Sequence, residues 1–229
     1  MTDNPKGILY LVSTPIGHPD DLTLRARRIL GEVDLVVGEE FKESSKLLRS
    51  LGIKTKLAAL NEHNETDNYQ EVISVLRSGQ DVALISDCGT PVLADPGSVL
   101  VSQAIKQNIQ VVPIPGPSSI LAALVVCGFK IHRWHYRGFL SPKREERQAQ
   151  LMELRDAEYT TIILEAPYRL RQILEDMEKH LQPDRQLALC WQLTMPDEEV
   201  IRGSIKEVRG QVEIRGWKKG EFVIVLAPY

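Results

Sequence analysis

Apolar runs alternate with amphipathic segments along the first half of the chain. The runs predict β-strands over residues 7–13, 34–38, 82–86 and 110–114. Apolar residues at helical spacing predict helices over residues 22–30, 44–51, 69–77 and 99–106. Asp20 or Asp21 is the expected N-cap of the first helix. Strands that are apolar throughout and alternate with helices are typical of a parallel sheet covered on both faces, so we predict an α/β domain.

The second half also mixes strands and helices, but less regularly. Helices are predicted over residues 120–126, 144–155 and 170–181, and strands over 135–140, 160–165, 186–193 and 221–227. One further helix, bounded by glycines, is predicted at about 204–212, between the last two strands. Because some strands are joined without a full helix, we expect a second α/β domain with more antiparallel pairing.

The segment PIPGPSS at residues 113–119 separates the two patterns, with three prolines and a glycine in seven positions. The predicted domains are therefore residues 1–116, with a parallel sheet, and residues 117–229, with a mixed sheet.

Composition narrows the class of protein. The chain has 229 residues, 43% hydrophobic and 26% charged, and a net charge of −3, with −4 in residues 1–116 and +1 in residues 117–229. This balance excludes a generally basic nucleic-acid binder, so any RNA contact must come from a local patch. The apolar runs are shorter than the ~20 residues of a membrane span, and the N-terminus reads as a strand rather than a secretory leader. The three cysteines form no CxxC pair, which favours free thiols in the cytoplasm over a disulfide or a metal site.

Two loops that follow predicted strands carry candidate chemistry. In open α/β sheets ligands bind beyond the carboxyl ends of the strands. STPIGHPDD at residues 13–21 has Pro15 and Gly17, which allow a ligand to approach the backbone, although a plain β-turn also explains them. SDCGTPVLADPG at residues 86–97 places Asp87 at a strand end, where its carboxylate can accept hydrogen bonds from an amine or a ribose. The alternative for this loop is an Asx-turn with a helix cap.

Seven segments together resemble one known family. They are TPIGHPDDLTLRA, EEFKESSKLL, NEHNE, ALISDCGTPVLADPG, VVPIPGPSS, the pair RGFL and LEAPYR, and LTMPDEEVIRGS. Their order and spacing resemble the ribosomal RNA small subunit methyltransferase I family, in the tetrapyrrole-methylase (class III) superfamily. The resemblance spans residues 7–227. It implies two α/β domains with S-adenosylmethionine in the cleft between them, and a homodimer.

The resemblance also implies which residues line the cofactor pocket. From the first domain and the junction these are Pro15, Gly17, Asp87, Gly89, Thr90, Ser118 and Ser119. From the second domain they are Leu140, Glu165, Ala166, Leu193, Thr194, Ala227 and Pro228. No metal is implied.

Three segments depart from the family pattern. Where relatives read Glu-Asp-Thr-Arg, this chain has Glu-Glu-Phe-Lys at residues 39–42. Glu-Ser-Pro-His-Arg becomes Glu-Ala-Pro-Tyr-Arg at 165–169, and Arg-Glu-Leu-Thr-Lys becomes Trp-Gln-Leu-Thr-Met at 191–195. The chain also ends at Tyr229, without the family's common C-terminal extension. These differences bear on the methyl acceptor more than on the cofactor.

A ribose 2′-hydroxyl acceptor must lose a proton during methyl transfer, so a nearby base would help. The candidates are Glu39, Glu40, Lys42 and His63. The alternative for the first three is a solvated helix N-terminus, where acids are favoured by the helix dipole. His63 is equally explained as a polar loop residue.

A cluster of cations in the second domain is a candidate RNA contact. Its members are Lys130, Arg133, Arg137, Lys143, Arg144 and Arg147. Trp134, His135 and Tyr136 are interleaved with them, and rings beside cations suit unpaired RNA. A solvated surface helix beside a buried strand explains the same residues.

The leading hypothesis is a cytoplasmic methyltransferase acting on ribosomal RNA or the small ribosomal subunit. One alternative keeps the chemistry but methylates a tetrapyrrole or another small molecule. Another is a module that binds the cofactor without catalysis. A nicotinamide dehydrogenase is disfavoured because the glycine-rich dinucleotide fingerprint is missing.

Overall fold

The computed structural model describes residues 5–61 and 65–229. They form two compact units, which divide between Ser118 and Ser119, two residues after the predicted boundary. The elements of the first unit are β1 (Ile8–Val12), α1 (Leu24–Glu32), β2 (Leu35–Gly38), α2 (Phe41–Ser50), β3 (Lys56–Ala59), α3 (Glu65–Arg77), β4 (Val82–Ile85), α4 (Ser98–Lys106) and β5 (Gln110–Ile114).

The first sheet is parallel throughout, as predicted, with the strand order β3-β2-β4-β1-β5. The sequence pattern missed β3, because this edge strand begins with an exposed lysine and none of its residues is fully buried. The predicted cap of α1 was also wrong. Asp20 and Asp21 belong to a short 3₁₀ turn, and the hydroxyl of Thr23 accepts the hydrogen bond from the Ala26 N–H instead.

Helices cover both faces of the first sheet. Apolar residues of α1 and α2, such as Leu30 and Leu48, pack with Val36 and Ile85 on one face. Residues of α3 and α4, such as Leu76 and Leu100, pack on the other. The central strands β2, β4 and β1 are therefore covered on two sides, which explains their uninterrupted apolar runs.

The second unit contains five strands and four helices within the described residues. These are α5 (Ser119–Val126), β6 (Trp134–Phe139), α6 (Arg144–Glu153), β7 (Thr160–Leu164), α7 (Leu170–His180), β8 (Gln186–Trp191), β9 (Glu199–Ser204), α8 (Ile205–Ile214) and β10 (Phe222–Leu226). The strand order is β6-β7-β10-β8-β9; only the β6–β7 pair is parallel, so the predicted mixed sheet is confirmed.

The edge strand β9 was missed by the sequence pattern. Only Ile201 among its six residues is fully buried, so no apolar run marks it. Its end was predicted correctly as the start of a helix. The Ser204 hydroxyl accepts a hydrogen bond from the Glu207 N–H, and the Glu207 carboxylate accepts one from the Ser204 N–H.

Arg147 was predicted to contact RNA, and the structure contradicts this. Its side chain is 1% exposed, and Nε donates to Oδ2 of the buried Asp176 at 2.7 Å. Nη1 donates to the carbonyls of Ser141 and Pro142 at 3.0 and 2.9 Å. Arg147 therefore holds the start of α6 against α7.

The burial of this ion pair predicts a large loss of stability for Arg147→Ala. Removing the guanidinium leaves the Asp176 carboxylate buried without its partner, which costs about 3–5 kcal/mol. Urea unfolding followed by circular dichroism measures the change. The exposed Arg144 is the matched control, and Arg144→Ala should lie within about 0.5 kcal/mol of the parent. Equal stabilities for the two variants would contradict the assignment.

Candidate functional site

Three loops meet at the carboxyl ends of β1, β4 and β5. Thr14 and Gly89 exchange backbone hydrogen bonds, with N–O distances of 2.9 and 3.1 Å. The buried Thr14 hydroxyl also donates to the Ser86 carbonyl at 3.0 Å. Thr90 Oγ1 donates to the Pro117 carbonyl at 3.1 Å and therefore accepts from Ser13 Oγ at 3.2 Å. The predicted loops after β1 and β4 are thus joined to each other and to the junction segment.

The position of β4 explains why its loop is available to a ligand. β4 lies between β2 and β1, and both of those strands lead into helices on one face of the sheet. The loop after β4 leads to α4, on the opposite face. Adjacent strands whose helices lie on opposite faces leave a crevice beyond their carboxyl ends, the usual ligand site of open α/β sheets. The sheet order therefore favours the loop that begins at Ser86.

Asp87 occupies this crevice beside the loop after β2. Its Oδ1 accepts a hydrogen bond from the Glu40 N–H at 3.2 Å, which joins the two loops. Burial raises the pKa of the Asp87 carboxyl, the hydrogen bond from Glu40 opposes the rise, and nearby carboxylates, led by that of Glu40, add to it. Burial also raises the pKa of Asp95, opposed by a hydrogen bond from Ser86. The loop therefore presents carboxylates, which suit a ligand that carries positive charge and hydroxyl donors.

The structure places only some of the candidate bases near Asp87. Glu39 and Glu40 follow β2, and Glu40 precedes the first residue of α2 without a side-chain cap hydrogen bond. Lys42 is exposed in the first turn of α2. His63 lies outside the described residues. Glu40 is the candidate that the structure places directly beside Asp87.

Gly89 is required by the backbone of this loop. Its φ is +89°, and a Cβ there would lie 3.4 Å from Ile16 Cγ2, so the conformation limits this position more than the space does. Pro15 and Gly17 are half-buried in the loop after β1. Ser118 ends the first unit and Ser119 begins α5 in the second.

In the second unit, most of the predicted pocket residues share one edge of the sheet. β6, β7 and β8 run in the same direction, because β10 is antiparallel to both β7 and β8. Leu140, Glu165 with Ala166, and Leu193 with Thr194 therefore follow three strands at one edge. Glu165 is buried, and its Oε1 lies 3.0 Å from Nη1 of Arg169 and accepts from the Ala166 N–H.

Ala227 and Pro228, which were also predicted to line the pocket, do not share this edge. They follow β10, whose carboxyl end lies at the opposite edge, about 15 Å away along a five-residue strand. The Ala227 N–H donates to the Gln186 carbonyl at the start of β8. Sequence reasoning instead missed Gly220 and Glu221, which lie at the shared edge. The Glu221 carbonyl accepts from the Gln192 N–H at 2.8 Å, and the Gly220 N–H donates to the Pro167 carbonyl at 3.3 Å.

The turn after β8 is strained. Gln192 and Thr194 have φ values of +44° and +64°, which residues with a side chain rarely adopt. The Thr194 N–H donates to the Glu198 carboxylate, and Trp191 stacks on Trp217 with ring centroids 4.3 Å apart. Backbone strain of this kind concentrates at functional sites.

The family departures have different surroundings. Phe41 is 56% exposed and Tyr168 is 71% exposed, whereas Trp191 is buried in its stack. Phe41 and Tyr168 are thus available to a substrate, whereas the buried Trp191 is not. Among residues 5–61 and 65–229, no group of three or more metal-ligating side chains comes together, and no helix is long and apolar enough to cross a membrane.

Two solved structures share the architecture. One is uroporphyrin-III-C-methyltransferase from Thermus thermophilus, with a TM-score of 0.68 and 21% identity over 97% of this chain and 94% of that one. The other is the cobalamin biosynthetic enzyme cobalt precorrin-4 methyltransferase, with a TM-score of 0.71 and 16% identity over 96% and 94%. At these identities the likeness defines the fold, which is that of the tetrapyrrole methylases.

Sequence similarity defines the family. Residues 8–209 match the family model described as Tetrapyrrole (Corrin/Porphyrin) Methylases. The chain is 40% identical to ribosomal RNA small subunit methyltransferase I of Micromonospora olivasterospora, over 96% of this chain and 70% of that protein. It is 38% identical to the protein of the same name from Bacillus subtilis, over 96% and 75%. The chain therefore belongs to the ribosomal RNA small subunit methyltransferase I family, as the sequence motifs indicated.

The backbone conformations of Gly89 and Gly31 predict opposite changes in the free energy of unfolding when each is replaced by alanine. Gly89→Ala places a Cβ in the left-handed region and should lower the free energy of unfolding by about 1–2 kcal/mol. Gly31→Ala, inside α1 with nothing within 4 Å of the new Cβ, should raise it by about 0.5–1 kcal/mol. Urea denaturation of both variants gives the signs. A Gly89→Ala variant as stable as the parent would show that the loop does not need this conformation.

Proposed function

We propose that this chain transfers a methyl group from S-adenosylmethionine to a ribose 2′-hydroxyl of small-subunit ribosomal RNA. The observation that carries the proposal is the identity of 37–40%, over 96–100% of this chain and 70–82% of the relatives, to proteins named ribosomal RNA small subunit methyltransferase I. The chemistry of the loops at the ends of β1, β4 and β5 supports the cofactor.

The residues at those loops fit the cofactor. S-adenosylmethionine carries a sulfonium, an ammonium, a carboxylate and ribose hydroxyls. In the first unit we assign its binding to Pro15, Gly17, Asp87, Gly89, Thr90 and Ser118. In the second we assign Ser119, Leu140, Glu165, Ala166, Leu193 and Thr194. Asp87 accepts hydrogen bonds from the ammonium or the ribose, and the surrounding carboxylates favour the positive charge.

The cofactor supplies an activated methyl group with a good leaving group. The protein therefore contributes alignment of the acceptor with the methyl carbon and exclusion of water. Glu40 is our candidate to accept the hydroxyl proton, since it follows β2 and contacts Asp87 through its backbone. Glu39, Lys42 and His63 remain candidates for the same role.

The RNA contacts belong to the cations of the second unit. Lys130, Arg133 and Arg144 are exposed; Lys143 is exposed as well, and its Nζ lies 2.8 Å from the Glu146 carboxylate. Arg147 is removed from this set by its burial. Cytoplasmic location and assembly into a homodimer are parts of the same proposal, and sedimentation velocity measures the assembly.

The proposal is tested by methyl transfer from tritiated cofactor to small ribosomal subunits taken from a strain that lacks this protein. We expect label in the RNA, at one ribose by nucleotide mapping. Uroporphyrinogen serves as the second acceptor. Label on the tetrapyrrole alone would replace RNA as the substrate, and cofactor binding without transfer to either would leave a non-catalytic binding module.

Asp87→Ala should weaken cofactor binding about tenfold or more, because hydrogen bonds to a charged carboxylate contribute roughly 1.5–3 kcal/mol. Calorimetric titration with S-adenosylmethionine and with its demethylated product measures the dissociation constants. Asp20→Ala, which removes a carboxylate that is 93% exposed, is the control and should bind like the parent. An unchanged affinity for Asp87→Ala would show that the pocket lies elsewhere.

A further inference from the structure

An open hollow of about 420 Å³ lies at the free edge of the second sheet. Its lining consists of aromatic and cationic side chains: His132, Arg133, Trp134, His135 and Tyr159. β6 is the edge strand here, and Trp134, its first residue, is 44% exposed. The loops of this unit that we assign to the cofactor follow β6, β7 and β8 and lie at the other end of β6, so the hollow is separate from them.

The backbone beneath the hollow is held in place. Thr160, the first residue of β7, donates through Oγ1 to the Lys130 carbonyl at 2.6 Å and through its N–H to the Arg133 carbonyl at 3.2 Å. His135 packs edge-on against Tyr159, with ring centroids 5.5 Å apart and an angle of 82° between the rings. The backbone on either side of Trp134 is therefore held in place, and the exposed indole offers a planar face for stacking.

The charges around the hollow are arranged asymmetrically. Lys130 and Arg133 supply positive charge at the segment that leads into β6. A second hollow shares Arg133 and Tyr159 with the first and adds the acidic side chains of Glu153, Asp156 and Glu158. These carboxylates disfavour a phosphate on their side of Arg133, so a phosphate is favoured on the side of Lys130 and Trp134.

The shape of β6 disfavours a second protein strand at this edge. The pairing with β7 shifts register between Tyr136 and Gly138, which marks a β-bulge at Arg137. Arg137 itself lies 3.8 Å from Glu153. Bulges and charged residues on an edge strand oppose the addition of another strand.

We propose that this hollow binds an unpaired nucleotide of the RNA acceptor, with the base stacked on Trp134 and the phosphate near Arg133. An unpaired base is required, because a base within a duplex does not expose its face. The inference rests on the proposed function. It adds a place where the RNA binds, at the opposite end of β6 from the cofactor loops.

The test measures RNA binding and cofactor binding separately. Trp134→Ala should weaken the binding of a short fluorescein-labelled unpaired oligoribonucleotide roughly fivefold or more, measured by anisotropy, because one stacked base is lost. Trp134→Phe, which keeps a ring, should bind within about twofold of the parent. Arg133→Gln should reduce the slope of log affinity against log salt by about one. All three should bind S-adenosylmethionine like the parent.

Methyl transfer to small ribosomal subunits completes the test. Trp134→Ala should raise KM by a similar factor and leave kcat unchanged, since the ring is remote from the cofactor loops. Parental oligonucleotide affinity for Trp134→Ala overturns the inference. So does a change of sedimentation coefficient, which would assign the ring to contact between two copies of the chain. If the parent binds the oligonucleotide through Trp134 but methylates no RNA, the proposed function fails and the hollow stands.

Discussion

Burial of β4 on both faces of the first sheet is the constraint on which the candidate site depends. All four of its residues are buried, and it lies between β2 and β1. The helices α1 and α2, which follow β1 and β2, pack on one face of the sheet, and α4, which follows β4, packs on the other. The loop after β4 therefore crosses the edge of the sheet formed by the carboxyl ends of the strands. Asp87 and Gly89 belong to this loop and therefore lie at the crevice. The hydrogen bonds of Thr14 then fix the loop against the loop after β1.

Much of this architecture could be predicted because a strand buried on two faces leaves a continuous apolar run. β1, β4 and β10 are such strands. The two strands that the pattern missed, β3 and β9, are both at sheet edges, where one side is open and the residues are half-exposed. The cap of α1 was misplaced because Asp20 and Thr23 are both good capping residues, and only the 3₁₀ turn decides between them.

The candidate site was predictable in the first unit for the same reason: carboxyl ends of parallel strands share one edge, so loops that follow strands come together. The rule fails in a mixed sheet. Ala227 follows a strand that runs the other way, so it is separated from Leu140 and Leu193. Arg147 was misjudged because its partner Asp176 lies 29 residues away, and no local pattern reports an ion pair between two helices.

The two units differ in charge, and this difference agrees with the proposed places of cofactor and RNA binding. At the proposed cofactor site, the carboxylates of Asp87 and Asp95 favour a positively charged ligand. The same carboxylates repel the phosphates of an RNA, so the phosphates of an RNA acceptor are expected to bind at another surface. Residues 117–229 carry a net charge of +1 against −4 in residues 1–116, and Lys130 and Arg133 lie beside an exposed indole. Electrostatics therefore supports the proposal that donor and acceptor are bound at separate surfaces, because a surface that favours a sulfonium disfavours a polyphosphate.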